Sequence, residues 1–349
     1  MAVAASTEEV VLDGVVSSRS NAVKAWLYSL AGLVILMIAV GGATRLTGSG
    51  LSITEWKPVT GAIPPLTEAA WLAEFEKYQQ ISQYELLNKG MSLAEFKFIY
   101  AWEWGHRQLG RLIGIVFFLP WVWFWLRGAI TGRLALTLLG VGAVGGLQAA
   151  IGWIMVASGL EPGMTAVAPI KLALHLAVAS IILALLVWIA AGLRHSREAW
   201  VRLLAPRVLL GLILFQVVLG GLVAGSKAGF TYNTWPLMDG AFLPPTSVLF
   251  SGTPLIENFV DNLALVQLNH RLAAYLILGL ALWHAFQVRR SHPETKAARR
   301  ATGLAGIALA QVALGIATLI LVVPLWSGLA HQVLAMLFLS MAVVHARLT

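Results

Sequence analysis

The sequence has no cysteine and few charged side chains among its 349 residues. Without cysteine, the chain cannot form disulfides, thiolate metal sites, iron–sulfur clusters or covalent c-type haem attachments. Charged residues make up only 11% of the chain, whereas soluble domains carry roughly 25%. The apolar residues reach 58%, and the mean hydropathy is +0.79. This composition excludes a water-soluble globular enzyme and a disordered chain, and it predicts an integral membrane protein.

Eight apolar runs are each long enough to cross a hydrocarbon core about 30 Å thick. We place them at residues 25–43, 108–126, 134–157, 172–193, 208–225, 264–288, 302–323 and 327–346. The first run is too long for a signal peptide and lacks a small-residue cleavage pattern after it, so we expect a retained span. Segments 67–80 and 92–103 are expected to form short interfacial helices. The predicted fold is therefore an all-α integral membrane protein with eight transmembrane helices.

Basic residues are distributed unevenly between the two sides of this predicted membrane protein. The side made of both termini and the 2–3, 4–5 and 6–7 connections carries 14 basic and 5 acidic residues, whereas the other side carries 10 and 11. The positive-inside rule places the first side in the cytoplasm. We therefore expect a multi-pass protein of the cell inner membrane, with the long loops 44–107 and 226–263 facing the periplasm. The basic excess reflects membrane insertion, and no nucleic-acid partner is expected.

The two halves of the chain resemble each other. Recurring segments are Gly61–Pro65 and Gly240–Pro245, Gln148 with Gly152 and Gln311 with Gly315, His106-Arg107 and His270-Arg271, and His175 and His331. Four spans per half require parallel repeats, related by an axis along the membrane normal. The predicted parts are a cytoplasmic tail (1–24), an N-terminal four-helix bundle (25–193), a cytoplasmic linker (194–207) and a C-terminal four-helix bundle (208–349). Taken alone, the repeat is equally compatible with a transporter.

Histidines at the predicted outer ends of the even-numbered spans are the main candidate site residues. They are His106, His175, His270 and His331. Two at equal depth in each bundle, on different helices, suit a haem iron that takes an axial imidazole on each face. Zinc or copper is less well supported, because neither half offers a convincing third or fourth ligand. The remaining histidines are expected to be interfacial or solvated side chains at the cytoplasmic ends; they are His195, His284, His292 and His345.

The repeat breaks three residues before the first histidine of each half. Glu103 stands at this place in the first half, and its isosteric amide Gln267 in the second. A carboxylate can exchange a proton or stabilise positive charge, whereas an amide can only form hydrogen bonds. Pairing of Glu103 with Arg107 is an equally supported alternative. Arg107 and Arg271 are candidates for binding haem propionates, with interfacial anchoring as the equal alternative.

Four motifs together resemble the haem A synthase family, in its cysteine-free alphaproteobacterial and mitochondrial branch. They are Glu-x-x-His-Arg at 103–107, Asn-His-Arg at 269–271, Gly-Gly-Ala-Thr-Arg-Leu-Thr-Gly-Ser-Gly-Leu-Ser at 41–52 and Tyr-Asn-Thr-Trp-Pro at 232–236. The likeness covers nearly the whole chain from about residue 25. Members of another bacterial branch carry cysteine pairs in their outer loops, so no thiol-based step is carried over to this chain.

The resemblance implies a membrane oxidoreductase that converts the C8 methyl group of haem O to a formyl group by successive hydroxylations, giving haem A for terminal oxidases. It implies a resident haem b on His270 and His331, haem O between His106 and His175, and Glu103 as the catalytic carboxylate. The implied partners are haem O, haem A, haem O synthase, an unidentified electron acceptor and membrane lipid. The alternative from another functional class is a bis-histidine dihaem cytochrome that relays electrons to or from quinone.

Overall fold

The computed structural model describes residues 2–193 and 205–349, and this part of the chain contains helices and no strands. The α-helices are α1 Ala2–Leu46, α2 Glu68–Gln79, α3 Leu93–Leu126, α4 Gly132–Gly159, α5 Pro169–Gly192, α6 Ala205–Gly225, α7 Thr246–Leu249, α8 Asn258–Asp261, α9 Leu263–Ser291, α10 Lys296–Ile320 and α11 Leu325–Leu348. Eight of them are long and apolar enough to cross a membrane: α1 from Ser20, α3, α4, α5, α6, α9, α10 and α11. The predicted all-α membrane fold with eight spans is confirmed.

The second span begins earlier than the sequence pattern suggests. Segment 92–103, expected to be a separate interfacial helix, is the start of α3, which runs for 34 residues. Ser92 caps this helix by accepting a hydrogen bond from the Glu95 backbone N–H, while the Glu95 carboxylate accepts one from the Ser92 N–H. No helix-breaking residue follows until Pro120, so the interfacial and membrane parts form one helix. The expected helix at 67–80 is present as α2.

Two predicted boundaries, at the tail 1–24 and the linker 194–207, can be compared with the helices. The expected tail 1–24 is helical from Ala2 and continues without interruption into the first span. Most of the expected linker 194–207 lies outside the described residues. Its described part belongs to α6, which begins at Ala205.

The contacts between the membrane helices can be grouped into two sets of four helices. In the first set, α1 and α4 each contact α3 and α5, and in the second set α6 and α10 each contact α9 and α11. The two sets meet where α5 contacts α6 and α11, and where α1 contacts α11. One buried apolar cluster includes side chains from all eight helices. These contacts favour two four-helix bundles, and the interpretation of the bundles as a parallel repeat stays a prediction.

The α1–α3 connection (residues 47–92) folds onto the first turns of α3. The ring of Phe75 in α2 stacks on Phe96 in α3 with a centroid separation of 4.9 Å. Glu55 forms ion pairs with Lys57 at 2.6 Å and with Lys77 at 2.7 Å. Hydrogen bonds from these two ammonium groups lower the pKa of Glu55 to about 2. This connection and the α6–α9 connection (residues 226–262) lie at the same end of the helices, which we name the outer end.

Candidate functional site

The four candidate ligand histidines lie on four different helices, each in the half of its helix that is nearer the outer end. They are His106 in α3, His175 in α5, His270 in α9 and His331 in α11. Because α3 and α5 both contact α1 and α4, they stand at opposite corners of their set, and α9 and α11 do so around α6 and α10. Each half therefore carries one histidine on each of two helices that stand at opposite corners of its set, as two ligands of one haem require.

A glycine on the preceding span contacts each of these histidine rings. A Cβ atom added to the glycine would lie close to the ring Cε1 atom: 2.9 Å for Gly41 and His106, 2.8 Å for Gly152 and His175, 3.3 Å for Gly220 and His270, and 2.8 Å for Gly315 and His331. At three of the four positions, any side chain would displace the ring. The glycines therefore provide the space in which the imidazoles lie.

Three of the histidines also contact a glutamine, placed one turn before the glycine. The amide nitrogen donates to the histidine backbone carbonyl at 2.8 Å for Gln148 and His175, 2.9 Å for Gln216 and His270, and 3.0 Å for Gln311 and His331. The same nitrogen is 3.1 Å from Nδ1 of His175, 3.1 Å from Nδ1 of His270 and 3.4 Å from Nε2 of His331. The internal repeat predicts this Gln-x-x-x-Gly pattern at 148 and 311 but not at 216, because the matching residue in the first half is Met37.

Glu103 is buried, and both of its carboxylate oxygens have partners. Oε1 lies 2.6 Å from Nη2 of Arg107. Oε2 accepts hydrogen bonds from the Ser52 hydroxyl at 2.7 Å and from the Ile53 backbone N–H at 2.8 Å. The alternative in which Glu103 pairs with Arg107 is therefore present in the structure. Glu103 and His106 lie on the same helix, about one turn apart.

Gln267 occupies the corresponding place with the opposite hydrogen-bond polarity. Its amide nitrogen donates to the carbonyls of Ala228 at 2.9 Å and Thr231 at 2.6 Å, and its oxygen accepts from Arg271 at 2.8 Å. The connection near Glu103 offers donors, whereas the connection near Gln267 offers acceptors. The carboxylate of Glu103 therefore fits the donors of its connection, and the amide of Gln267 fits the acceptors of its own. Exchanging either residue for the other would lose hydrogen bonds.

Arg107 and Arg271 hold the outer connections in place. Their guanidinium groups donate to backbone carbonyls: Arg107 to Ile53 at 2.8 Å and Glu55 at 3.0 Å, and Arg271 to Tyr232 at 2.8 Å and Thr234 at 3.0 Å. At the outer end, the buried N–H groups without a partner within the described ranges include Trp104 Nε1, Arg111 Nη1 and Arg271 Nε. These groups are the better candidates to bind an anion such as a propionate.

Two histidines at the opposite ends of the helices correct a sequence-based expectation. His284 and His345 were expected to be interfacial or solvated, but they are 2% and 0% exposed, with their Nε2 atoms 2.8 Å apart. They join α9 to α11, the helices that carry His270 and His331. Arginines close to these histidines in the sequence predict a polar helix end. Whether a side chain is buried, however, depends on how the helices pack against one another. His195 lies outside the described residues.

Comparison with known proteins gives consistent matches over nearly the whole chain. Residues 24–343 match the family model described as a cytochrome oxidase assembly protein. A protein named "Heme A synthase" from Methylobacterium sp. (strain 4-46) is 66% identical, over 96% of this chain and 94% of its own length. Proteins of the same name from Methylorubrum extorquens (strain PA1) and Beijerinckia indica subsp. indica are 64% and 54% identical, over 94% and 93% of this chain and 87% and 92% of their own lengths. The matched region contains both histidine pairs and both outer connections.

Proposed function

Because this chain belongs to the haem A synthase family of cytochrome oxidase assembly proteins, we propose that it oxidises the C8 methyl group of haem O to a formyl group, giving haem A. The observation that supports this assignment best is an asymmetry between two similar sites. Both halves hold two histidines at opposite corners of a helix set, but only the first half has a buried carboxylate one turn before a histidine. One half is therefore equipped for chemistry and the other for electron transfer.

The C-terminal pair is the proposed site of a resident haem b. The backbone carbonyls of His270 and His331 each accept a hydrogen bond from a glutamine, and a glycine leaves space for each imidazole. His331 Nδ1 has no hydrogen-bond partner within the described ranges. Haem b bound here supplies one-electron transfer to and from the other half. His270 and His331 would hold the haem iron between them.

The N-terminal pair, His106 and His175, is the proposed binding site for haem O. Glu103 is buried, and its carboxylate is held in place by Arg107 and Ser52. Each hydroxylation removes two electrons from the methyl carbon, so positive charge develops next to the ring. A fixed carboxylate at this depth stabilises that charge without reorganising. Gln267 is neutral and does not offer this stabilisation, in agreement with a purely electron-carrying second half.

The rival dihaem cytochrome is not favoured. The relatives that match this chain at 53–66% identity are named heme A synthases, and an electron relay has no use for a carboxylate in one half alone. We place the protein in the inner membrane with both termini in the cytoplasm, because basic residues are concentrated on that side. Supply of haem O by haem O synthase and transfer of electrons to an unidentified acceptor follow from this assignment.

The proposal is tested in a host that makes haem O but no haem A. Expression of this chain should produce haem A, measured by chromatography of extracted haems. His106→Ala and His270→Ala should each abolish production, because each removes one axial ligand. His292→Ala is the matched control and should leave production unchanged, since His292 belongs to neither pair. Membranes that contain the intact protein but no haem A would refute the proposed activity.

A further inference from the structure

A groove lies between the two sets of helices at the inner end, the end opposite the outer end. Its walls come from α1 and α5 of the first set and from α10 and α11 of the second. Its volume is about 380 Å³, within the range of about 300–1,000 Å³ that is typical of small-molecule sites. Tyr28, which lines it, is 38% exposed on a membrane span. The groove is therefore open to the surrounding lipid.

The groove is apolar along most of its length, and small residues of α1 leave the space for it. A Cβ atom added to Gly32 would have nothing within 4 Å. Val187 and Met341 form part of the opposite walls. From Tyr28 to Ile35 the groove follows α1 for two turns, about 10 Å along the helix axis. An elongated apolar groove of this kind fits part of an acyl chain.

Positive charge surrounds the groove at the inner end. Among the described residues that line it, Arg300 is the one charged side chain. Lys24 Nζ lies 6.0 Å from the centroid of the Tyr28 ring. The guanidinium carbon of Arg347 lies 5.4 Å from the centroid of the Trp188 ring, which follows a lining residue of α5. Within the described ranges, neither Lys24 nor Arg347 forms an ion pair. An anionic group at the mouth of the groove would therefore meet several cations.

We propose that this groove binds an anionic phospholipid, with an acyl chain between the two sets of helices and the phosphate near Arg300, Lys24 and Arg347. Basic pockets between membrane helices on the cytoplasmic side bind anionic lipid headgroups, and the cytoplasmic leaflet is the anionic one. The inner end is the side with 14 basic and 5 acidic residues. Because all four walls contact it, the lipid also holds the two sets of helices together. This site is separate from both histidine pairs and does not depend on the proposed function.

The test is native mass spectrometry of the purified full-length protein, titrated with phosphatidylglycerol or with phosphatidylcholine. Wild-type protein should bind phosphatidylglycerol more tightly. Arg300→Gln should weaken phosphatidylglycerol binding about fivefold, the effect of one cation near a membrane surface, and leave phosphatidylcholine binding unchanged. Arg290→Gln is the matched control, because Arg290 is exposed at the same end of α9 and does not line the groove. Wild-type affinity in Arg300→Gln would overturn the proposal.

A second variant tests the acyl-chain part of the groove and keeps the proposal falsifiable if Arg300→Gln fails to fold. Gly32→Leu fills the groove from α1 without meeting another atom at Cβ, so it should reduce phosphatidylglycerol binding. Gly279→Leu is its control, since Gly279 has equally open space and lies outside the groove. Equal binding in these two variants would overturn the proposal. Equal affinity of wild-type protein for the two lipids would do so as well, because it would indicate a groove for an uncharged chain such as a quinone tail.

Discussion

At the scale of single residues, the exchange of Glu103 for Gln267 distinguishes the two halves. From the sequence alone, Glu103→Gln looks like a conservative copy of the other half. The structure shows that the partners are reversed as well, because Glu103 accepts from Ser52 and Ile53 while Gln267 donates to two carbonyls. A glutamine at position 103 could place its NH₂ group on the side of Arg107 or on the side of Ser52 and Ile53. In both orientations the NH₂ group faces a hydrogen-bond donor. Leaving such a buried group unpaired costs about 1–3 kcal/mol.

We expect Glu103→Gln to slow haem A formation on the order of 10²-fold or more, because a fixed charge at the reacting group is lost. Haem b on the other half should be retained. The α1–α3 connection should also loosen near Ser52, which amide hydrogen exchange of that segment measures. Haem O, its hydroxylated intermediate and haem A are quantified in the same cells.

Ser52→Ala separates the charge from the loop contact. It removes one hydrogen bond to the connection and keeps the carboxylate, so most of the activity should remain. If Ser52→Ala is as inactive as Glu103→Gln, the carboxylate acts only by holding the connection. Wild-type rates in Glu103→Gln would remove any role for the charge.

At the scale of elements, the sequence predicts some features well and others poorly. Length and hydropathy predict the eight spans, and the repeat predicts which histidines share a depth. Continuity of α3 from Leu93 was missed, because hydropathy marks the membrane part of a helix and not its start. The glycine contacts and the buried His284–His345 pair were missed for another reason. The glycine contacts and the histidine pair both depend on which helices are neighbours. The sequence of a single span does not contain that information.

Helix contacts at the glycines give a prediction at this scale. Gly315→Ala places a methyl group 2.8 Å from the His331 ring, so the imidazole must shift and the low-spin haem b signal should weaken. Gly279→Ala is the matched control, since nothing lies within 4 Å of its added Cβ and alanine favours a helix. Haem b per protein is measured optically. Equal haem content in the two variants would show that the glycine contact does not position the ligand.

At the scale of the whole molecule, the charge distribution predicts the orientation. Reporter fusions within 47–92 and 226–262 should report the outer side of the membrane, and fusions within 289–300 the cytoplasm. The physical reason is the excess of 14 basic over 5 acidic residues on the side that holds both termini and segment 289–300. An outward-facing 289–300 segment would reverse the orientation and move both histidine pairs to the cytoplasmic side.

The most direct test of the central claim, a substrate half beside a resident haem half, is the haem content of the purified full-length protein. Acid extraction and chromatography of protein from a host that makes haem O should yield haem b together with haem O or haem A. His331→Ala should lose haem b and keep the second haem, because the two sites lie in different helix sets. Protein that contains haem b alone, in a host that supplies haem O, would contradict the account and favour an electron-carrying cytochrome.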